Sequence, residues 1–407
     1  MKKFLLVLLI VALIAGALAF YLEATTPRTS AGLRFPLTPK QRQLLASVPA
    51  SAEAFALIPT AAAFREKLFS NPITRSTIEQ WVETEQLPRS WMLGDADLVA
   101  WRAGKRTAFA IHLDPLRAAL VRIYLMMGSG LDARINEGTL LINAGAGEPL
   151  GPAGLDQVLA LTSGLGSADA IVVQQAASRG AFPPVGRPAV TTVKLGTDDV
   201  NVISRSVGEG PPPAASPLMR PRFPRGALIA ATFREPPRIV SDLDRLLIAR
   251  VSHLLDDGGS IVLYDVNTGT LLPRPNGLMI AKATPDHRQT VERIRSAVEL
   301  FGEIRDAGDH FLVSFDKTSL ITYSTDTLVD AQWPSNDWAA RVDPKRAVPL
   351  LEKLGDNTGL RLVAPRIYRA ARDLRRWIES LSDAESIEAA HSFTGSTEEL
   401  RVRITSK

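Results

Sequence analysis

The sequence predicts an α+β protein: two tandem related units of antiparallel sheet with helices packed on one face, preceded by a single N-terminal transmembrane helix. Three observations carry that prediction. Residues 4–22 contain no charged side chain. Strand segments further on alternate apolar and polar residues, as antiparallel strands with one wet face do. Strands, helices and hairpins recur in similar order on either side of a proline-rich break.

The leader comes first. At about 1.5 Å per residue, residues 4–22 would make roughly 28 Å of helix, close to a bilayer's hydrocarbon thickness. Lys2 and Lys3 precede the run and would stay cytoplasmic, so everything after Glu23 is expected outside. This predicts a single-pass inner-membrane protein with its C-terminal body in the periplasm or extracellular. Ala17-Leu18-Ala19 offers a competing signal-peptidase site, while Phe20 and Tyr21 suit the interface of a retained helix. The organisation read from the chain is 1–22 anchor or signal, 23–38 stalk, 39–206 first unit, 207–226 Pro-rich linker or loop and 227–407 second unit. The linker rests on Pro211-Pro212-Pro213, Pro217, Pro221 and Pro224, which fit neither helix nor central strand.

In the first unit a helix starts at Pro39 behind a Thr38 cap. Strand 54–58, helices 60–69 and 72–85, and a hairpin over 97–113 follow. Helix 114–127 opens with Asp114 and Pro115 and turns Leu116, Leu120, Ile123 and Met127 inward. Strands 132–136 and 139–143, helix 154–162 and strands 169–175, 188–196 and 200–206 complete the unit. In the second unit, strand 227–233 leads to a helix over 236–256, whose Ile239, Leu243, Leu246, Leu247, Val251 and Leu254 keep helical spacing. A hairpin over 259–265 and 276–283 precedes helix 285–301, with Val291, Ile294, Val298 and Phe301 on one face. Strand 310–316 points Phe311, Val313 and Phe315 one way and His310, Leu312 and Ser314 the other. Strand 319–324, helices 343–354 and 364–381, and a hairpin from Ser386 to Thr405 close the chain.

Composition narrows the chemistry. The chain has 407 residues, 45% hydrophobic and 22% charged, which is the balance of a folded globular protein. It has no cysteine, so disulfides, thiol nucleophiles and thiolate metal sites are excluded. A net charge of +4 falls short of a nucleic-acid footprint, and no nucleic-acid partner is expected. No two of the five histidines stand at metal-ligand spacing on one element. His391, between Ile387 and Phe393, reads as a hydrogen-bonded core histidine. Gly128-Ser129-Gly130 reads as a helix-ending turn and Gly145-Ala146-Gly147 as a plain loop. Asp265-Val266-Asn267 resembles the start of a calcium loop, but the twelfth position is Asn276, so a hairpin turn is the sounder reading. No catalytic residue, metal or cofactor is expected.

Two surface features point to partners. Arg366, Arg369, Arg372 and Arg376 form a basic stripe opposite Ile367, Ala371, Leu374 and Ile378, suited to anionic lipid or an acidic protein. Trp333 and Trp338, in a Pro-containing loop, are candidate partner-contact aromatics.

Leu44-Leu45-Ala46-Ser47-Val48-Pro49-Ala50-Ser51-Ala52-Glu53, an apolar strand, and then Phe69-Ser70-Asn71-Pro72-Ile73 resemble the opening of uncharacterised bacterial membrane-anchored envelope proteins with tandem α+β units. The resemblance covers the first hundred residues and implies an exported α+β body, with no defined site to carry over. The expectation is therefore a non-enzymatic binding or scaffolding protein of the cell envelope, held to the membrane through residues 4–22. The alternatives are a lipid- or amphiphile-binding envelope module and a hydrolase whose site assembles only in three dimensions.

Overall fold

A computed structural model describes residues 32–52, 54–75, 90–94, 96–103, 106–127, 132–136, 138–144, 155–174, 188–207, 218–235, 238–242, 244, 250–267, 273–381 and 384–406. The chain divides into two compact units, Met1–Glu209 and Gly210–Lys407.

Unit 1 runs α1 (Pro39–Leu45), β1 (Ala54–Ile58), α2 (Ala61–Ser70), α3 (Ser90–Leu93), β2 (Leu98–Ala103), β3 (Arg106–His112), α4 (Pro115–Met126), β4 (Ala133–Asn136), β5 (Thr139–Ile142), α5 (Leu155–Ala160), β6 (Ala170–Gln174), β7 (Ala189–Leu195) and β8 (Asp199–Val207). Its strands lie in the order β4-β5-β3-β2-β1-β6-β7-β8, each pair antiparallel. One sheet face carries Phe55, Leu57, Val99, Trp101, Ala108 and Ala110, covered by Leu44 and Leu45 of α1 and Val158 of α5. The other carries Leu98, Phe109, Ile111, Leu140 and Ile142 under Leu120 and Val121 of α4.

Unit 2 runs β9 (Arg222–Pro224), β10 (Ile229–Phe233), two 3-10 turns (Arg238–Asp242 and Ser252–Leu255), β11 (Gly259–Asn267), β12 (Arg274–Lys282), α6 (Pro285–Val298), β13 (Ile304–Asp306), β14 (His310–Ser314), α7 (Ser319–Thr325), β15 (Leu328–Asp330), β16 (Trp338–Val342), α8 (Pro344–Gly355), α9 (Thr358–Val363), α10 (Pro365–Ile378), β17 (Ser386–Thr394) and β18 (Thr397–Thr405). The large sheet has the order β13-β14-β12-β11-β10-β16-β17-β18, and β9 pairs with β15 alone. Counted along each sheet, this is the order of unit 1 repeated. Register repeats too. Ile58, Leu98, Ile111 and Leu140 stand side by side across unit 1. Phe233, Gly259, Ala281 and Phe311 do so across unit 2.

The predicted fold class needs correction. The protein is predominantly antiparallel sheet, and its helices are short connections laid on that sheet. The longest described helices, α6 and α10, have 14 residues each. That is about 21 Å, short of the roughly 30 Å hydrocarbon core. Among the described residues no helix is long and apolar enough to cross a membrane. The predicted span 4–22 lies outside the described residues. The single-pass inner-membrane placement, and the membrane, signal and periplasm assignments that followed from it, therefore lack structural support.

The prediction of one wet sheet face is also overturned. In unit 2, Phe233, Met279, Ala281, Phe311 and Val313 fill one core, while Ala230, Val262, Leu278, Leu312 and Ala339 fill another on the opposite face. On the polar side of strand 310–316, Leu312 and Ser314 are thus buried, Ser314 at 0% exposure, while His310 at the strand end stays partly exposed.

Two elements differ locally. The continuous helix expected over 236–256 is interrupted, because the Asp244 carboxylate accepts from both the backbone N (2.7 Å) and the hydroxyl (2.6 Å) of Ser252. Eight helical residues would separate those groups by about 12 Å along the axis. Residues 236, 237, 243 and 245–249 lie outside the described residues. The strand expected over 319–324 is α7. Asp316 takes the backbone N–H groups of Thr318 (2.7 Å) and Ser319 (2.9 Å) and starts a helical turn there. Of the helix expected over 72–85, residues 76–85 lie outside the described residues.

Candidate functional site

A half-open apolar pocket in unit 2 lies between its large sheet and the helices that separate β16 from β17. Those helices have clear local causes. Asp343 caps α8 by accepting from the Arg346 backbone N (3.2 Å), and Pro344 opens the first turn. Ala347, Leu350, Leu351 and Leu354 follow at three-and-four spacing and are buried. Asn357 caps α9 through the Leu360 N–H (2.7 Å), and Pro365 opens α10.

Three arginines hold this layer in place. The Arg346 guanidinium donates to the backbone carbonyls of Gly226 (2.9 Å) and Tyr264. The Arg366 backbone N donates to the buried Asp242 carboxylate (3.0 Å). Arg375 pairs with Glu352 at 2.9 Å, joining α10 to α8.

Beneath the layer is a cavity of about 310 Å³. Its floor is the alternating set Ile229, Ala231 and Phe233 of β10, with Ile261 and Leu263 of β11 beside it. Its roof is Leu351 and Leu354 of α8, Leu360 of α9, and Ile367, Ala371 and Leu374 of α10. Every lining residue is apolar or proline. Such a space offers no acid, base or nucleophile, and what it provides is a dry surface for a hydrocarbon group.

The Arg stripe lies on the opposite, solvent side of α10. Arg366 donates to Ser241 Oγ (3.0 Å), Arg369 Nε donates to the Pro365 carbonyl (3.2 Å), and the Arg372 guanidinium sits 5.9 Å from the Tyr368 ring centre. The Arg376 side chain lies outside the described residues. The stripe and the cavity thus occupy opposite faces of one helix.

The two tryptophans are split between cores. Trp333 packs against the cluster of Phe223, Leu320 and Ala331, and Trp338 against that of Phe233 and Val251. Trp338 also stacks on His391, with centroids 5.9 Å apart and planes 4° apart. His391 Nδ1 lies 2.7 Å from the Asp337 carboxylate. Ser335 Oγ lies 2.6 Å from the Trp338 carbonyl and 2.7 Å from the His391 carbonyl, and its one proton can be given to either, which braces the loop.

Two groups on the far sheet face are electrostatically unusual. Burial pushes the Tyr264 hydroxyl up, with Asp326 and Tyr323 adding to the shift, and its oxygen has no hydrogen-bond partner. Burial alone would raise the Asp316 carboxyl. Hydrogen bonds from Ser319 and Thr318 outweigh it and hold the group below the ordinary carboxylate range. Among the described residues no group of three His, Asp or Glu side chains is placed to hold a metal ion.

Sequence reasoning missed the cavity. One signal was present: far more chain separates β16 from β17 than separates β6 from β7, and that extra length is amphipathic. Comparison with family models, with curated proteins and with solved structures finds no match to this chain, so the envelope assignment gains nothing there and a functional reading rests on the chain's own geometry.

Proposed function

We propose that this protein is a binding module that takes a small apolar molecule, or the hydrocarbon part of an amphiphile, into the unit 2 cavity. The observation that supports it is the lining: an apolar space of about 310 Å³, roofed by helices that Arg346 ties to β11, Arg366 to the Arg238–Asp242 turn and Arg375 to one another. Roughly 150 Å³ of dry apolar space accepts benzene, so this volume suits a ligand of about twice that bulk. Burial of apolar surface supplies the affinity, at about 25 cal/mol per Å² before the costs of association. With no polar group in the lining, selection would be by length and girth.

Ala370 also lines the cavity and is half-buried, so a larger side chain there grows into the space. Organic extraction of the purified full chain followed by mass spectrometry should recover an apolar molecule. A fluorescent apolar probe should bind the stripped protein and be lost in Ala370→Trp. If nothing is extracted and the Ala370→Trp protein takes up the probe as the native chain does, the reading is wrong.

A further inference from the structure

Unit 1 carries a different recess, in which six polar side chains stand around an apolar floor of Leu44 and Leu141. It measures about 180 Å³ and lies between α1 and the β3-β5-β4 edge of the sheet. Lys40, Gln43 and Ser47 line it from α1 and the turn after it. These positions share a helical face with Leu44. His112, Thr139 and Asn136 line it from three adjacent strands, and they form one transverse row, since His112 pairs with Thr139 and Thr139 with Asn136.

Both walls are fixed. Thr38 and Gln41 form a reciprocal capping box at the start of α1, and Leu44 and Leu45 are buried in the core below. The β4–β5 turn passes through Gly138 at φ +79°, which brings its Cα region beside the His112 ring. The Leu113 N–H closes that turn on the Gly138 carbonyl at 2.8 Å.

The donor set is one-sided. Six polar side chains line the recess, one of them a lysine, and no lining residue is a carboxylate. Among the described residues none of the six engages another side chain or the backbone by hydrogen bond or ion pair. The matching row in unit 2 is differently occupied. Lys282 pairs with His310 there, and the His310 ring already holds the Asp309 carboxylate at 2.5 Å. Unit 2 supplies its own anion at this place, whereas the described part of unit 1 leaves the donors open.

We infer that this recess of unit 1 binds a phosphate group, with Lys40 and His112 as the charge-bearing and directing donors and Ser47, Thr139, Gln43 and Asn136 completing the shell. This site is independent of the unit 2 cavity. A tetrahedral oxyanion accepts several hydrogen bonds at once, and charge-assisted bonds from lysine are the strong ones.

The test uses the full chain and inorganic phosphate, followed by calorimetry and ³¹P line broadening. Saturable binding with a Kd of roughly 1 mM or tighter is expected. Lys40→Gln should weaken it about ten-fold and His112→Gln about three-fold, the scale of one charged and one neutral hydrogen bond. Lys282→Gln, at the equivalent place in unit 2, should leave it unchanged. Circular dichroism of the variants should be native, since Lys40, His112 and Lys282 are exposed. Phosphatidylcholine vesicles with and without phosphatidic acid separate the two sources. Acid-lipid sedimentation that Lys40→Gln abolishes identifies a headgroup, and phosphate binding without sedimentation identifies a soluble phosphate ester. Absence of saturation with both probes, or equal weakening by Lys282→Gln and Lys40→Gln, overturns the inference.

Discussion

On the first strand of unit 1, Ala54, Ala56 and Ile58 occupy the places that Ile229, Ala231 and Phe233 occupy on the first strand of unit 2. The unit 1 residues, two alanines and an isoleucine, are half-buried. Those of unit 2 form the floor of an apolar cavity under three helices. Strand order and register are the same in both units, so the sheet does not cause the difference. The cause is the amphipathic chain between the sixth and seventh strands of unit 2, where Leu351, Leu354 and Leu360 supply a second apolar wall. Unit 1 instead presents a recess rimmed by polar side chains at the β3-β5-β4 edge of its sheet. A common frame can therefore carry unrelated recognition surfaces, with the connections setting the chemistry and the strands setting only the placement.

Core truncation should break this comparison most visibly. Leu45 is fully buried in a close-packed cluster of unit 1, so Leu45→Ala should cost about 4 kcal/mol. Leu354 borders the cavity and has fewer partners to lose, so Leu354→Ala should cost about 2 kcal/mol. Urea unfolding of the two variants measures both. Equal costs would mean that the cavity is filled by something in the purified protein.

A smaller effect is expected at Asp316, which ties the start of α7 to the Gly277 N–H of β12. Asp316→Ala should destabilise by about 2 kcal/mol at neutral pH. The carboxyl is depressed in the folded state, so its contribution is present above the unfolded value near 4 and disappears as the pH falls through the folded value. The gap between native and variant stability should therefore close below about pH 4. Thermal melts at neutral and acid pH read this, and a gap of constant size would contradict it.

The smallest effect should be a gain. Tyr264 is 8% exposed with an unpartnered hydroxyl, so Tyr264→Phe removes a buried polar group that nothing satisfies. A stabilisation of up to about 1 kcal/mol is expected. A loss of that size in the same melts would show that the hydroxyl has a partner in solution.

Local signals in the sequence located the elements that local chemistry decides. Val291, Ile294 and Val298 in phase mark α6, and the structure adds its cap, the Thr284 hydroxyl accepting from the His287 N–H (3.2 Å). Asp114 and Pro115 mark the start of α4, but its inward face was misjudged: Leu116 and Met127 are exposed, and Ala118, Leu120 and Val121 are buried. Elements decided by distant partners were misread. The spacing of Ile239 to Leu254 is helical, yet the Asp244 side chain bonds Ser252, a contact that a continuous helix would not allow. Leu312 and Ser314 look like the alternate face of a wet strand, yet the chain from Phe223 and from Leu320 to Trp333 covers them. The apolar cavity was invisible because its walls come from strands and helices separated by about a hundred residues. The polar recess was hidden likewise: His112, Asn136 and Lys40 become neighbours only through strand pairing and the docking of α1.

The α8–α10 segment leaves the sheet at Val342 and returns by Ile387, and these two residues face each other across β16 and β17. Gln174 and Ala189 do the same across β6 and β7. Exit and return are one strand spacing apart in both units, so the length of the excursion adds little closure entropy to folding. This junction is a natural splice point. Exchanging the excursion there, in either direction, offers a way to move or replace a binding surface while leaving the pleated framework untouched.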